Sequence, residues 1–256
     1  MKDMITENYN ESINQNTKKE KKEKEKENEN IIREYQSDNT HGRGLIVSFG
    51  YHNKFFKIGP EFSKDNDCLF LRDPYCFLFY KGLSGEGTVK DLESFVQSEI
   101  EARKPSKIIF TSLCVTGFIT MALGFKFQVD AIICFSPWTH WGEEYSLTLQ
   151  KTFANDPNSY TANVFRPLTR MLQEDEKFID TMKDIRDINL YENKMGKTKL
   201  LLFFNQGVLD QIAKKHISDN LKSKIEIFEI GSPNTDRTAI KKAILDNVEK
   251  WGFLNN

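Results

Sequence analysis

Lys107-Ile108-Ile109-Phe110-Thr111-Ser112-Leu113-Cys114-Val115-Thr116-Gly117-Phe118 is the stretch whose reading decides the fold. Residues 107–111 form a short run rich in β-branched and aromatic side chains, which predicts a buried strand. Residues 115–125 are apolar throughout, which predicts a buried helix. The chain has only a tight turn in which to pass from one to the other. A strand, a tight turn and an apolar helix lift one side chain above the carboxyl end of the strand, beside the unpaired N–H groups that open the helix. Small residues on both sides let such a turn close. Ser112 and Thr116 stand two places either side of Cys114, and Gly117 follows.

Working outward, the same rhythm recurs. Apolar runs at 45–49, 68–71, 75–80, 131–135, 199–204 and 224–230 predict strands, the fourth stopped by Ser136-Pro137. Helical spacing predicts helices at 89–103, closed by Pro105, and at 210–221 and 236–251. Residues 138–197 lose the strand rhythm and predict a helical cap or excursion over the sheet. Continuous apolar strands alternating with helices specify an α/β fold: a mostly parallel sheet with helices on both faces.

The chain has 256 residues and a formal net charge of -1, which fits one large domain. Its hydrophobic fraction of 39% is depressed by residues 1–40, whose centre (18–29) alternates Lys and Glu without an apolar stripe. Such a segment buries too little apolar area to offset its ordering entropy and is expected to be a disordered tail. The alternative is an arm that binds a protein partner. Residues 41–256 then form the globular domain, with its first strand beginning at Gly44. Near-zero charge and the lack of a basic stripe argue against nucleic acid. No apolar run is long enough to span a bilayer, and residues 1–40 hold no secretory signal, so a cytoplasmic protein is expected. Cys68, Cys76, Cys114 and Cys134 show no metal-ligand spacing with histidine, so no metal, cofactor or disulfide is expected.

Several segments taken in order resemble a set of bacterial α/β-hydrolase-like proteins, mostly uncharacterised. These segments are Leu71-Arg72-Asp73-Pro74, then Gly82-Leu83-Ser84-Gly85-Glu86-Gly87, then Ser112-Leu113-Cys114-Val115-Thr116-Gly117, then Phe135-Ser136-Pro137. The resemblance covers 44–137 and, more loosely, 199 to the end. It implies an α/β-hydrolase fold with a Gly-x-Ser-x-Gly-Gly nucleophile elbow, an acid after the next-to-last strand and a histidine after the last. This sequence places Cys114 where the serine is implied. Asp210 stands in the place of the acid. The final loop reads Gly231-Ser232-Pro233-Asn234-Thr235-Asp236, with Asn234 at the position of the expected histidine. Asparagine cannot accept and return a proton as imidazole does.

Each candidate has two readings. Cys114 is an elbow thiolate activated by the helix N-terminus, or a buried small residue in a degenerate elbow. Asp210 is the triad acid, or an ordinary acidic residue at a helix N-terminus. His140, on the loop after Phe135-Ser136-Pro137, is the best candidate for the missing base, and His52 is a second; otherwise they are loop histidines. His216 reads as a solvated helix position and His41 lies in the tail. Backbone N–H groups of Val115 and of Tyr51, within the loop 50–52, are the expected oxyanion hole. Arg72 and Asp73 read as a structural pair. Two function classes follow: an acyl (ester or thioester) hydrolase or acyltransferase acting through Cys114 on a small acyl substrate, or a catalytically inactive protein of the same fold that binds or assembles with a partner.

Overall fold

A computed structural model describes residues 29–35, 43–51, 55–57, 66–75, 78–85, 87–183, 185–230 and 242. Seven strands form one sheet in the order β1-β3-β2-β4-β5-β6-β7. They are β1 (Ile31–Glu34), β2 (Gly44–Tyr51), β3 (Asn66–Asp73), β4 (Lys107–Leu113), β5 (Ala131–Phe135), β6 (Lys199–Phe204) and β7 (Glu226–Glu229). Among the described strands only β1 runs antiparallel, against β3, and the other pairings are parallel. The central strands are buried on both faces, which is why they read as unbroken apolar runs. The sheet is mostly parallel, as expected, and the fold is α/β.

Alternate residues of the strands feed two cores. One holds Leu45, Val47 and Phe49 of β2 with Phe110 of β4, and it receives the buried residues of the described helices. These helices are α1 (Val89–Arg103), α2 (Gly117–Phe127), α3 (Glu143–Asn155), α4 (Tyr160–Glu174), α5 (Glu176–Met182), α6 (Val208–His216) and α7 (Asp219–Lys222). The second core, on the other face, holds Ile46, Phe70, Ile133, Phe135 and Phe203, with Phe55 and Phe56 packed against it. Helices α3 to α5 form the expected excursion between β5 and β6. The predicted helix at 236–251 lies outside the described residues.

Three expectations are corrected. The sheet starts inside the predicted charged tail, because β1 pairs Ile31 with Leu71 and Glu34 with Cys68. An edge strand needs only a little apolar surface, and Ile31 supplies it while polar groups anchor the rest. Asn30 donates from Nδ2 to the Leu83 carbonyl at 2.9 Å, and its Oδ1 accepts from the Arg72 guanidinium at 2.9 and 3.1 Å. Arg33 and Tyr35 both reach Glu99 of α1, each at 2.6 Å. Second, the described residues of the strand predicted at 75–80 are not in a strand; they are turns, with Leu78 and Phe79 in left-handed backbone (φ 57° and 58°). Asp73 organises them: its carboxylate accepts from the N–H of Tyr75 at 3.0 Å and of Phe79 at 2.8 Å. Arg72 and Asp73 are therefore structural as expected, but through other partners. Third, the predicted helix 210–221 is two helices, because Ser218 caps α7 by accepting from the Leu221 N–H at 3.1 Å.

The sequence runs outward from β2 to β3, then returns to β4 on the other side of β2 and continues to β7. The order thus reverses between β2 and β4, the point in an open parallel sheet where the strand ends part and leave a crevice. Phe49 pairs with Ser112, so Tyr51 and Cys114 end neighbouring strands at the same level. Asp73 is buried while serving two N–H groups, and Asp73→Ala is expected to lower the unfolding free energy by about 3 kcal/mol in urea denaturation.

Candidate active site

Cys114 has a left-handed backbone, φ 61°, at the end of β4. A non-glycine residue pays roughly 1–2 kcal/mol for that conformation. The surroundings hold it there. Cys114–Thr116 form a single 310 turn that leads directly into α2. The Thr116 hydroxyl bridges the carbonyls of Phe49 at 3.0 Å and Leu113 at 2.9 Å, tying the turn to the end of β2. The Trp138 N–H donates to the Cys114 carbonyl at 3.3 Å. A Cβ on Gly117 would stand 2.9 Å from Cβ of Pro137, so the glycine lets α2 lie against the Ser136-Pro137 turn. The strand, turn and helix expected from the sequence follow one another here, with Cys114 at the turn.

The thiol is half-buried, and three donors converge on the sulfur: the backbone N–H of Val115 and the side chains of Tyr51 and Trp138. The Val115 N–H, expected as an oxyanion-hole donor, here hydrogen-bonds to the sulfur itself. Tyr51 contributes its side chain as well as its place beside the elbow. Burial nonetheless pushes the thiol up to about 12, the Asp210 carboxylate adds to the rise, and the three donors only partly offset it. The lowering expected from the helix N-terminus is overridden by desolvation.

Asp210 lies in the first turn of α6, after β6, and is buried. Its Oδ2 accepts from the Asn205 N–H at 2.6 Å, and the Ser136 side chain also hydrogen-bonds to it. Asn205 Nδ2 in turn donates to Ser136 Oγ at 3.1 Å. Burial pushes the Asp210 carboxyl up, while these two partners pull it down. The ends of β4, β5 and β6 thus bring Cys114, Ser136 and Asp210 into one neighbourhood. Ser136, itself left-handed at φ 44°, serves the acid there.

His140 is buried and turned to other partners. Its ring stacks on His216 of α6 with centroids 3.6 Å apart and planes 12° apart. Its Nδ1 lies 3.3 Å from Thr139 Oγ1, and His216 Nε2 lies 3.1 Å from Asp187 Oδ1. Burial, the major cause, and then His216 push His140 down to about 4, against the pull of Asp187. His216, expected on a solvated face, is instead half of this stacked pair. His41, His52 and Asn234 lie outside the described residues.

Two site residues were not singled out from the sequence. Trp138 was seen only as a neighbour of His140, and Tyr145 fell within the unassigned cap. Together with Tyr51 and Phe165 they roof the elbow: Trp138 packs on Tyr145 with ring centroids 5.1 Å apart and on Phe165 at 5.5 Å, and Tyr51 meets Phe165 at 5.7 Å. The only signal pointing to them is the aromatic density that follows Pro137. Among the described residues no cluster of three or more metal-ligating side chains occurs, and no helix is long and apolar enough to cross a membrane.

No protein-family model matches the sequence, and no curated protein matches it in sequence. Solved structures do share its fold. Carboxyl esterase 2 of the mycorrhizal fungus Tuber melanosporum is 12% identical, with a TM-score of 0.56 over 81% of this chain and 77% of that one. An esterase of Rhizomucor miehei is 11% identical, with a TM-score of 0.56 over 86% and 83%. The capsule O-acetyltransferase of Neisseria meningitidis serogroup A is 13% identical, with a TM-score of 0.54 over 86% and 90%. The chain therefore has an α/β-hydrolase-like fold.

Two outcomes follow from the site geometry. Left-handed backbone suits glycine, so Cys114→Gly is expected to be about 1 kcal/mol more stable than Cys114→Ala in urea denaturation. His140 is held neutral when folded, and its value of about 4 lies below that of a free imidazole. Its contribution to stability is therefore complete above the unfolded value of roughly 6.5 and is lost as pH falls from there through the folded value. Unfolding free energy measured across that window should fall, and His140→Phe should flatten the fall.

Proposed function

We propose that this chain handles acyl groups, as an ester or thioester hydrolase or as an acyltransferase, with Cys114 as the nucleophile. The observation that carries the reading is the left-handed backbone of Cys114 at the switch point of the sheet, with the Val115 N–H directed at its sulfur. Strain of this kind lifts one side chain out of the turn and leaves backbone donors beside it. Attack of the sulfur on an acyl carbon forms a carbon–sulfur bond and places the carbonyl oxygen as an oxyanion. The Val115 N–H, with a second donor from the end of β2 at Tyr51, would hold that oxyanion. Collapse expels the alcohol or thiol and leaves a thioester on Cys114. Water releases it in a hydrolase, and an acceptor hydroxyl releases it in a transferase. The neighbours named as esterases and as an O-acetyltransferase are consistent with either ending.

A specific observation favours a second reading, a binding or assembly protein without turnover. The thiol is pushed up to about 12, and the two described histidines are stacked on each other. In that case the crevice would bind rather than react, and the Lys/Glu-rich residues 18–29 would serve as an arm for a protein partner.

The two readings separate in one experiment. The chain is incubated with p-nitrophenyl acetate, and acetylation of the Cys114 peptide is followed by mass spectrometry from pH 6 to pH 10. With the thiolate as the attacking species and a thiol near 12, the acylation rate should rise about tenfold per pH unit. It should show no bend near the roughly 6.5 of a free imidazole. A bend there would mean that a histidine serves as base. Absence of Cys114 acetylation would leave the binding reading.

A further inference from the structure

The cap is entered and left at one place. Residues 139–141 lead from β5 into α3, and residues 186–188 bring the chain back from α5. The two segments lie side by side: His140 pairs with Asp187 in an antiparallel bridge. The Ile188 N–H donates to the Thr139 carbonyl at 2.7 Å, and the Trp141 N–H to the Arg186 carbonyl at 3.1 Å. Both bridge partners then meet the same residue of α6. His140 stacks on His216 with centroids 3.6 Å apart, and Asp187 Oδ1 lies 3.1 Å from His216 Nε2. Thr139 and Asn189 also hold their segments to α6, through uncharged bonds to the carbonyls of Ala213 at 2.7 Å and His216 at 3.1 Å. The Thr139 hydroxyl spends its proton on Ala213, so it can only accept from His140 Nδ1, 3.3 Å away. Nδ1 therefore carries the proton of the neutral ring, and Nε2 is the atom that would take a second one. The residue is only 7% exposed, and Nε2 lies against Gly142, where an added Cβ would stand 3.2 Å from it.

We propose that His140, His216 and Asp187 form an acid-released clasp on the cap: a proton gained at His140 Nε2 breaks the stack, frees the chain from His140 into α3, and opens the enclosure over Cys114. The inference goes beyond the acyl-transfer reading and does not depend on it. A second proton would place a charge on a buried ring, face to face with another imidazole. The titratable groups facing that ring are His216 from α6, Asp187 from the return segment and Tyr145 from α3. Burial first and then His216 oppose the charge, Asp187 pulls the other way, and His140 is held down to about 4. Burial keeps Tyr145 protonated, so it brings no anion. Once the cap opens, the ring meets water and returns to the roughly 6.5 of a free imidazole. Opening is therefore independent of pH above that value, grows about tenfold per unit as pH falls below it, and levels off below the closed-state value. The movement reaches the thiol through α3. Tyr145 packs on Trp138 with ring centroids 5.1 Å apart, and the Trp138 side chain donates to the Cys114 sulfur. With α3 freed, Trp138 loses that cover.

Hydrogen–deuterium exchange read by mass spectrometry tests this on the full chain, from about pH 7.5 to about pH 4.5. Labelling times are scaled so that an unstructured amide exchanges equally at every pH. A helix as short as α3 is marginal in water once undocked, so its amides should exchange when the clasp lets go. Peptides from α3 should exchange about tenfold faster for each unit below roughly pH 6.5, while β4 and β5 stay protected. In His140→Phe, which keeps a ring for stacking but takes up no proton, exchange of α3 should vary by no more than about twofold over the same range. His140→Gln, which cannot be charged either, takes its place if that variant does not fold. Protection of α3 that stays constant with pH in the unaltered chain overturns the clasp. So does simultaneous loss of protection in α3, β4 and β5, which is unfolding of the whole domain. An equal pH response in the unaltered chain and the variant also overturns it.

Discussion

The molecule is organised around one backbone conformation, the left-handed turn at Cys114. It exists because β4 must end and α2 must begin within three residues, with both already fixed in the core. β4 is held between β2 and β5, and α2 is buried along most of its length. Neither element can shift to relax the turn. The Thr116 hydroxyl on two carbonyls and the close approach of Gly117 to Pro137 then leave Cys114 to absorb the misfit. The strain is not a property of cysteine. Any non-glycine residue at this turn would have to adopt the same left-handed backbone.

That chemistry is set by what the cap does to the surroundings. Tyr145 and Phe165, from helices α3 and α4, meet Trp138 from the β5 turn above the thiol. Removing water from the thiol raises its pKa, and the Val115 N–H and the Tyr51 and Trp138 side chains only partly offset that rise. Asp210 is subject to the same desolvation, but its two hydrogen-bond partners work against it. An enclosure of this kind disfavours ion pairs and favours neutral hydrogen-bond donors. The donors are present: Val115 N–H, the Tyr51 side chain and the Trp138 side chain all meet the sulfur.

Much of this was legible in the sequence, for a clear reason. Strands buried on both faces leave unbroken apolar runs, so β4, β5 and β6 appear at their observed places, and α1 spans 89–103 as its spacing predicts. The strand-to-helix passage through Cys114 is equally visible. Other features were not, because they depend on partners distant along the chain. Ile31 and Ile32 look like stray apolar residues in a charged tail until β3 offers an edge to pair with. Aromatic residues at 75–80 resemble a strand until Asp73 claims the N–H groups of Tyr75 and Phe79. His140 looked available because its loop follows β5. Its engagement with His216 is set by how the cap returns to α6, which a linear pattern cannot carry.

The stacked histidines bear on the chemistry in turn. Two imidazoles with their planes nearly parallel at 3.6 Å cannot both be charged at low cost. His140 is thereby kept neutral and buried, acting as a packing element where the cap meets α6. The same arrangement keeps His140 in a contact of its own, ring to ring with Tyr145 at 5.6 Å. Imidazole thus ties α3 of the cap to α6 through two ring contacts.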